Sequence, residues 1–189
     1  MAQPASQDPV RPRAGTPSSV FLVGFMGAGK TTVGQHLARR LGWRFIDLDD
    51  RVEARERRTI AEIFRDSGET AFRVAETEAL NEVLDEIGAG ANTVIALGGG
   101  TFVQPVNATS IRQSGVPVVF LDAPVEELRR RCIAKGAVRP LFRDQEQFQR
   151  LFEERRETYM VADLRLETGG KRADESAEEL ISLLGLGRN

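Results

Sequence analysis

Hydrophobic positions along the chain fall into two rhythms. Val20-Phe21-Leu22-Val23, Phe45-Ile46, Thr93-Val94-Ile95-Ala96-Leu97 and Val116-Pro117-Val118-Val119-Phe120-Leu121 are short continuous apolar runs. Runs of strand length with no polar side belong to strands covered on both faces, as in a parallel sheet. The second rhythm is helical. Val33, Leu37 and Leu41 recur at four-residue spacing and Gly42 supplies a stop, which predicts a helix after the first strand. Residues 51–57 read as a solvated, charge-laced helix. Thr59-Ile60-Ala61-Glu62 is a capping box opening the next one, and Gly68 breaks it. A longer helix from about Glu69 to Ile87 keeps Phe72, Ala75, Ala79, Val83 and Ile87 near its apolar face. Further helices are expected around 108–113, from Pro124 to about 135, and over 145–160, where Phe148, Leu151, Phe152 and Tyr159 would face the core. Ala162–Leu166 is a weak last strand, Gly169-Gly170 turns the chain, and Ser176 with Glu179 would cap a final helix. Strands alternating with helices predict an α/β fold with a parallel sheet.

At 189 residues the chain is expected to form one compact domain over 18–189. Residues 1–17 carry four prolines, Arg11 and Arg13 and no apolar segment, so they read as a disordered extension rather than a secretory signal. The 26 basic and 28 acidic residues give a mixed surface with a net charge of −2, which does not suit a nucleic-acid binder. No apolar run approaches the roughly 18–20 residues of a membrane span. Cys132 is the single cysteine, so neither an internal disulfide nor a multi-cysteine metal site is available. A cytoplasmic monomer is the expectation.

The chemistry concentrates first at Gly24-Phe25-Met26-Gly27-Ala28-Gly29-Lys30-Thr31. It fits the pattern G-x-x-x-x-G-K-[ST], and it sits between the first strand and the first helix as a phosphate-binding loop must. Its glycines let backbone N–H groups turn toward an anion, and the helix start adds a positive dipole end. Lys30 is expected on the β- and γ-phosphates of ATP, the Thr31 hydroxyl on Mg²⁺, and Gly27, Ala28, Gly29 and Thr32 around the phosphates.

Other candidates stand at the predicted strand ends. Asp47 and Asp49 follow the second strand, where alternation would put both carboxylates on one side of the backbone. Such groups can hold a metal-bound water or take the proton of an attacking hydroxyl; the bland alternative is that Asp49 or Asp50 only caps the next helix. Gly98-Gly99-Gly100 would let a ligand approach the backbone closely. Asp122 resembles a Walker B acid, although no Glu follows it. Arg73 lies beside the core-facing side of its helix, either paired with Glu69, Glu76 or Glu78 or anchoring a substrate. The aperiodic stretch 136–144 carries Arg139-Pro140-Leu141, either a lid with a phosphate-facing arginine or a basic surface loop. Arg129-Arg130-Arg131 reads as a solvated face, Cys132 as inert packing and His36 as a surface histidine. No Asn-Lys-x-Asp guanine motif is present, which disfavours a GTPase.

Taken in order from Val20 to Leu184, these segments resemble the shikimate kinases, small P-loop kinases of aromatic amino-acid biosynthesis. The resemblance rests on Gly24–Thr31, Asp47-Leu48-Asp49, Ile60–Phe64, Gly68–Arg73 with Glu76, Gly98–Gly100 and Arg139–Leu141. It implies a three-layer α/β/α sandwich whose five-stranded parallel sheet has the order 2-3-1-4-5. It also implies transfer of phosphate from ATP to the 3-hydroxyl of shikimate. By the same resemblance, Asp49 would bind and orient the attacking hydroxyl, and Asp47 with Thr31 would hold Mg²⁺. Arg73 and Arg155 would grip the substrate carboxylate, a task suited to a planar guanidinium. Gly98, Gly99 and Gly100 would contribute backbone groups, and Arg139 would close over the phosphates. The family usually has Pro-Leu-Tyr after its second carboxylate-binding arginine, whereas Arg156-Glu157-Thr158-Tyr159 stands here, so Arg156 competes with Arg155. Arg130 and Arg131 both remain open as the adenine-side arginine. A gluconate kinase of the same fold and a non-catalytic nucleotide-binding module are the rival readings.

Overall fold

The computed structural model describes residues 16–134 and 145–187. Arg139, the expected lid over 136–144 and residues 1–15 of the expected N-terminal extension lie outside the described residues. Five strands, β1 (Ser19–Val23), β2 (Arg44–Asp47), β3 (Thr93–Ala96), β4 (Val118–Asp122) and β5 (Leu164–Glu167), form one parallel sheet in the order β2-β3-β1-β4-β5. Every residue of β1, β3 and β4 is buried, which is why these stretches carry no polar side in the sequence.

The helices are α1 (Lys30–Leu41), α2 (Leu48–Glu56), α3 (Ile60–Gly88), α4 (Pro105–Ser114), α5 (Val125–Ala134), α6 (Gln145–Tyr159) and α7 (Ala173–Leu183). The chain leaves β1 in one direction across the sheet and later fills the other side, so right-handed crossovers put helices on both faces. α1 packs against α7 and crosses β3, while α2 packs along α3. Phe21, Leu22, Leu37, Leu80, Ile95 and Phe120 sit in the solvent-free centre, each worth about 1.5–3 kcal/mol of burial.

Local chemistry sets the ends of these elements. Gly42 adopts a left-handed conformation and closes α1. Thr59 and Glu62 form the expected reciprocal cap of α3. Gly68, at φ 77° and ψ 177°, leaves the helical conformation and divides α3 into two helical stretches, the break expected there. Several expectations need correction. Strand alternation does not pair Asp47 with Asp49. Asp47 ends β2 and its Oδ1 accepts the Asp49 N–H at 3.1 Å, so Asp49 already stands in the first turn of α2. The cap of the last helix is also earlier than Ser176. Glu175 accepts the Arg172 N–H at 2.9 Å, and Ser176 is buried inside α7.

Candidate active site

The carboxyl ends of β1, β2 and β3 surround a cleft of about 350 Å³. In an open parallel sheet, ligands bind outside these strand ends. One side is the loop from Gly24 to Lys30. Gly27 and Gly29 hold φ at 79° and 94°, a left-handed backbone that side chains resist. Contact also requires glycine, since a Cβ on Gly27 would lie 2.6 Å from the Leu128 carbonyl oxygen. The loop is therefore moulded onto α5 and opens at the N-terminus of α1, where backbone donors and the helix dipole favour an anion.

Lys30 Nζ donates to the loop carbonyls of Gly24 at 2.8 Å and Phe25 at 3.2 Å. Burial lowers its pKa, while the carboxylates of Asp49 and Asp47 act in the opposite direction. Thr31 donates its hydroxyl to Asp47 Oδ2 at 2.7 Å, bringing together two hard oxygen groups, one from the first turn of α1 and one from the end of β2. Thr32 also borders the cleft. Ala28 does not. Its side chain is buried, its N–H donates to the Phe25 carbonyl at 3.2 Å, and its own carbonyl accepts from the Thr168 hydroxyl at 3.3 Å.

The opposite side belongs to α3, α6 and the turn after β3. Asp49 Oδ1 stands 2.6 Å from where a Cβ would sit on Gly98, so the carboxylate lies directly on the first glycine of the triplet. Arg73 donates to Glu76 Oε2 at 2.9 Å through Nη1, and to Glu69 Oε1 at 3.3 and 3.1 Å through Nε and Nη2. Burial of the Arg73 guanidinium, which alone would lower its pKa, is outweighed by these carboxylates, and its pKa is raised. Both sequence readings of Arg73 therefore meet in one place: it is ion-paired and it borders the cleft. Its Nη1 would clash at 2.6 Å with a Cβ on Gly100, so the third glycine makes room for the guanidinium. Arg155 borders the same cleft and donates to the Gly99 carbonyl at 3.2 Å.

The competitor Arg156 points elsewhere and pairs with Asp122 at 2.8 Å. Asp122 also receives Arg165 Nε at 3.0 Å, so this buried acid joins α6 to β4 and β5 and does not border the cleft. The likeness of Asp122 to a Walker B acid is thereby corrected. Of the arginine run on α5, Arg130 is exposed, but Arg131 is not a solvated side chain. It donates to the Gly27 carbonyl at 3.3 Å and to the Thr168 carbonyl at 2.9 Å, tying the phosphate loop to the turn after β5. Cys132 is buried against Gly27 and borders the cleft, and His36 is half-buried.

Glu76 stands beside Arg73 among the expected residues, but its bond to the turn after β3, and the role of Tyr159, escape a simple reading of the pattern. Glu76, 1% exposed, accepts the Thr101 hydroxyl at 2.6 Å besides holding Arg73. A charged residue four positions after Phe72 and three before Ala79 interrupts an apolar stripe, and that interruption is the available signal. Tyr159 donates its hydroxyl to the Gly99 carbonyl. Its position on the apolar side of α6 gives no hint of that bond.

Residues 26–185 match the family model described as shikimate kinase. The shikimate kinase of Persephonella marina is 36% identical over 163 residues, covering 86% of this chain and 96% of that protein. The shikimate kinase of Geobacter metallireducens is 41% identical over 169 residues, covering 88% and 91%. A solved shikimate kinase from Acinetobacter baumannii, in complex with shikimate, superposes with a TM-score of 0.79 at 36% identity, covering 92% of this chain and 96% of that one. With the strand order, the phosphate loop and this likeness along nearly its whole length, the chain belongs to the shikimate kinase family.

Proposed function

We propose that this protein transfers the γ-phosphoryl group of ATP to the 3-hydroxyl of shikimate, releasing ADP and shikimate 3-phosphate. The observation that carries the reading is the convergence of Arg73 and Arg155 with Asp49 on the glycine turn opposite Lys30. A phosphate loop alone speaks only for the donor. Two guanidinium groups beside a carboxylate suit an acceptor that is itself a hydroxylated acid, with the arginines on its carboxylate and Asp49 on its hydroxyl. The loop N–H groups and the α1 dipole receive the phosphates. Asp49 orients the attacking hydroxyl and takes its proton as that oxygen bonds to phosphorus and the bond to the ADP oxygen breaks. Lys30, turning from the carbonyls it now holds, offsets negative charge on the phosphates.

The Thr31 hydroxyl and the Asp47 carboxylate fit Mg²⁺, a cation that takes one or two protein oxygens and completes its shell with phosphates and water. When bound there, the ion would neutralise charge on the phosphate oxygens. The same reading takes the protein to act as a cytoplasmic monomer.

Purified protein with MgATP is expected to release ADP when shikimate is supplied and to release little without it. Normal ATP binding with no shikimate-dependent ADP release at millimolar substrate would overturn the assignment. A gluconate-dependent reaction instead would favour the rival kinase. ATP binding without turnover on either acid would favour a nucleotide-binding module.

A further inference from the structure

Tyr159 is the only tyrosine of the chain, and it ends α6 as one of its largest fully buried side chains. Its ring lies 5.3 Å from that of Phe120, centroid to centroid, so packing against β4 fixes the ring. Its hydroxyl donates to the Gly99 carbonyl. That carbonyl also accepts Arg155 Nη1 at 3.2 Å, so the guanidinium and the phenol meet on one acceptor, with the charge of Arg155 acting on the phenol. Arg155 and Tyr159 are four residues apart on one helix, so they share a face and grip one backbone oxygen together.

The planar peptide makes this grip consequential. In a trans peptide the C=O of one residue and the N–H of the next point in opposite directions. With the Gly99 oxygen held toward α6, the Gly100 N–H is turned away from α6. Gly99 and Gly100 both border the cleft, and glycines have no side chain to restrict this peptide by themselves. The Thr101 N–H closes the turn around this peptide onto the Gly98 carbonyl at 3.1 Å, and the bonds from α6 hold the direction its carbonyl faces.

We propose that Tyr159 is a positioning residue for the acceptor side of the cleft, its hydroxyl holding the Gly99–Gly100 peptide and the Arg155 guanidinium in the orientation that receives the substrate carboxylate. This rests on the reading of the cleft as a shikimate site. Tyr159 itself is enclosed and acts through Gly99 and Arg155. Burial pushes its pKa up to about 12, so the hydroxyl stays a donor across the working pH range.

The test is Tyr159→Phe, which removes the hydroxyl and keeps the ring. Loss of one hydrogen bond in this cluster is expected to raise the shikimate KM about 5- to 20-fold, with the ATP KM unchanged and kcat changed far less. A lower melting temperature with an unchanged shikimate KM would show that the hydroxyl serves stability alone and would overturn the proposal. A second measurement uses the unmutated sequence. Incorporated 3-fluorotyrosine labels this one position, and its single ¹⁹F resonance should move on titration with shikimate. A resonance unmoved at saturating shikimate would equally overturn the proposal. Wild-type protein is assayed first, because an absence of shikimate-dependent ADP release there counts against the parent reading rather than against Tyr159.

Discussion

Nη1 of Arg73 lies 2.9 Å from Glu76 Oε2, and the other oxygen of the same buried carboxylate takes the Thr101 hydroxyl at 2.6 Å. Glu76 thus holds an arginine on one side and the turn after β3 on the other. Replacing it by glutamine keeps the volume but removes the charge. Glu76→Gln should cost about 2 kcal/mol of stability and raise the shikimate KM roughly tenfold. Urea unfolding and steady-state kinetics read the two effects separately.

Neighbouring arginines on α6 should part company. Arg155→Ala removes a group on the cleft and should raise the shikimate KM by about 10- to 100-fold. Arg156→Ala leaves Asp122 with Arg165, so it should lower the melting temperature by a few degrees and leave that KM within about twofold. Equal effects on KM would contradict the division of labour.

Asp49 should matter chiefly to turnover. Asp49→Asn keeps the shape of the group beside Gly98 but cannot take a proton. It should lower kcat by about 10²–10⁴ while changing the shikimate KM much less.

At Gly100 and Gly34, alanine should have opposite consequences. The nearest atoms to a Cβ on Gly100 are those of the Arg73 guanidinium, at 2.6 Å, so that group must shift from its ion pairs and the chief loss should be in shikimate affinity. A Cβ on Gly34 meets the Phe45 ring at 2.6 Å and Leu22 at 3.1 Å inside the core. There, stability should fall by about 1–3 kcal/mol through overpacking. Thermal unfolding beside shikimate titration distinguishes the two.

Alkaline pH should weaken the fold through Tyr159. Its pKa rises from 10.0 to about 12 on folding, so the unfolded chain loses the phenolic proton first. The associated stability is complete below about pH 10 and is lost as pH climbs toward about 12. Absorbance at the tyrosinate band, arising from this one residue, should titrate well above pH 10 in the folded protein. Tyr159→Phe should lack that part of the alkaline destabilisation.

The sheet and its helices were readable because their causes are local. A strand covered on both faces needs an unbroken apolar run, as at Val118–Leu121, and α1 needs only its four-residue stripe and Gly42. The phosphate loop was equally readable, since Gly24–Thr31 must satisfy its own backbone. Strand order is less local and came through the family resemblance, which the observed β2-β3-β1-β4-β5 order matches. Spacing misled at Asp47 and Asp49 because the strand stops where a side chain caps a helix, and hydropathy does not register that event.

By itself, then, the sequence determined the fold class, the anion-binding loop and the set of polar residues available at the strand ends. Only the tertiary structure decided how those residues are shared out. It turned Arg155 to the cleft and Arg156 to Asp122, committed Arg131 to the back of the phosphate loop, and joined Tyr159 to Gly99. The physical reason is reach. Element type follows from periodicities a few residues long, whereas the partner of a buried polar group is set by whichever group packing brings within about 3 Å, here as many as 140 positions away.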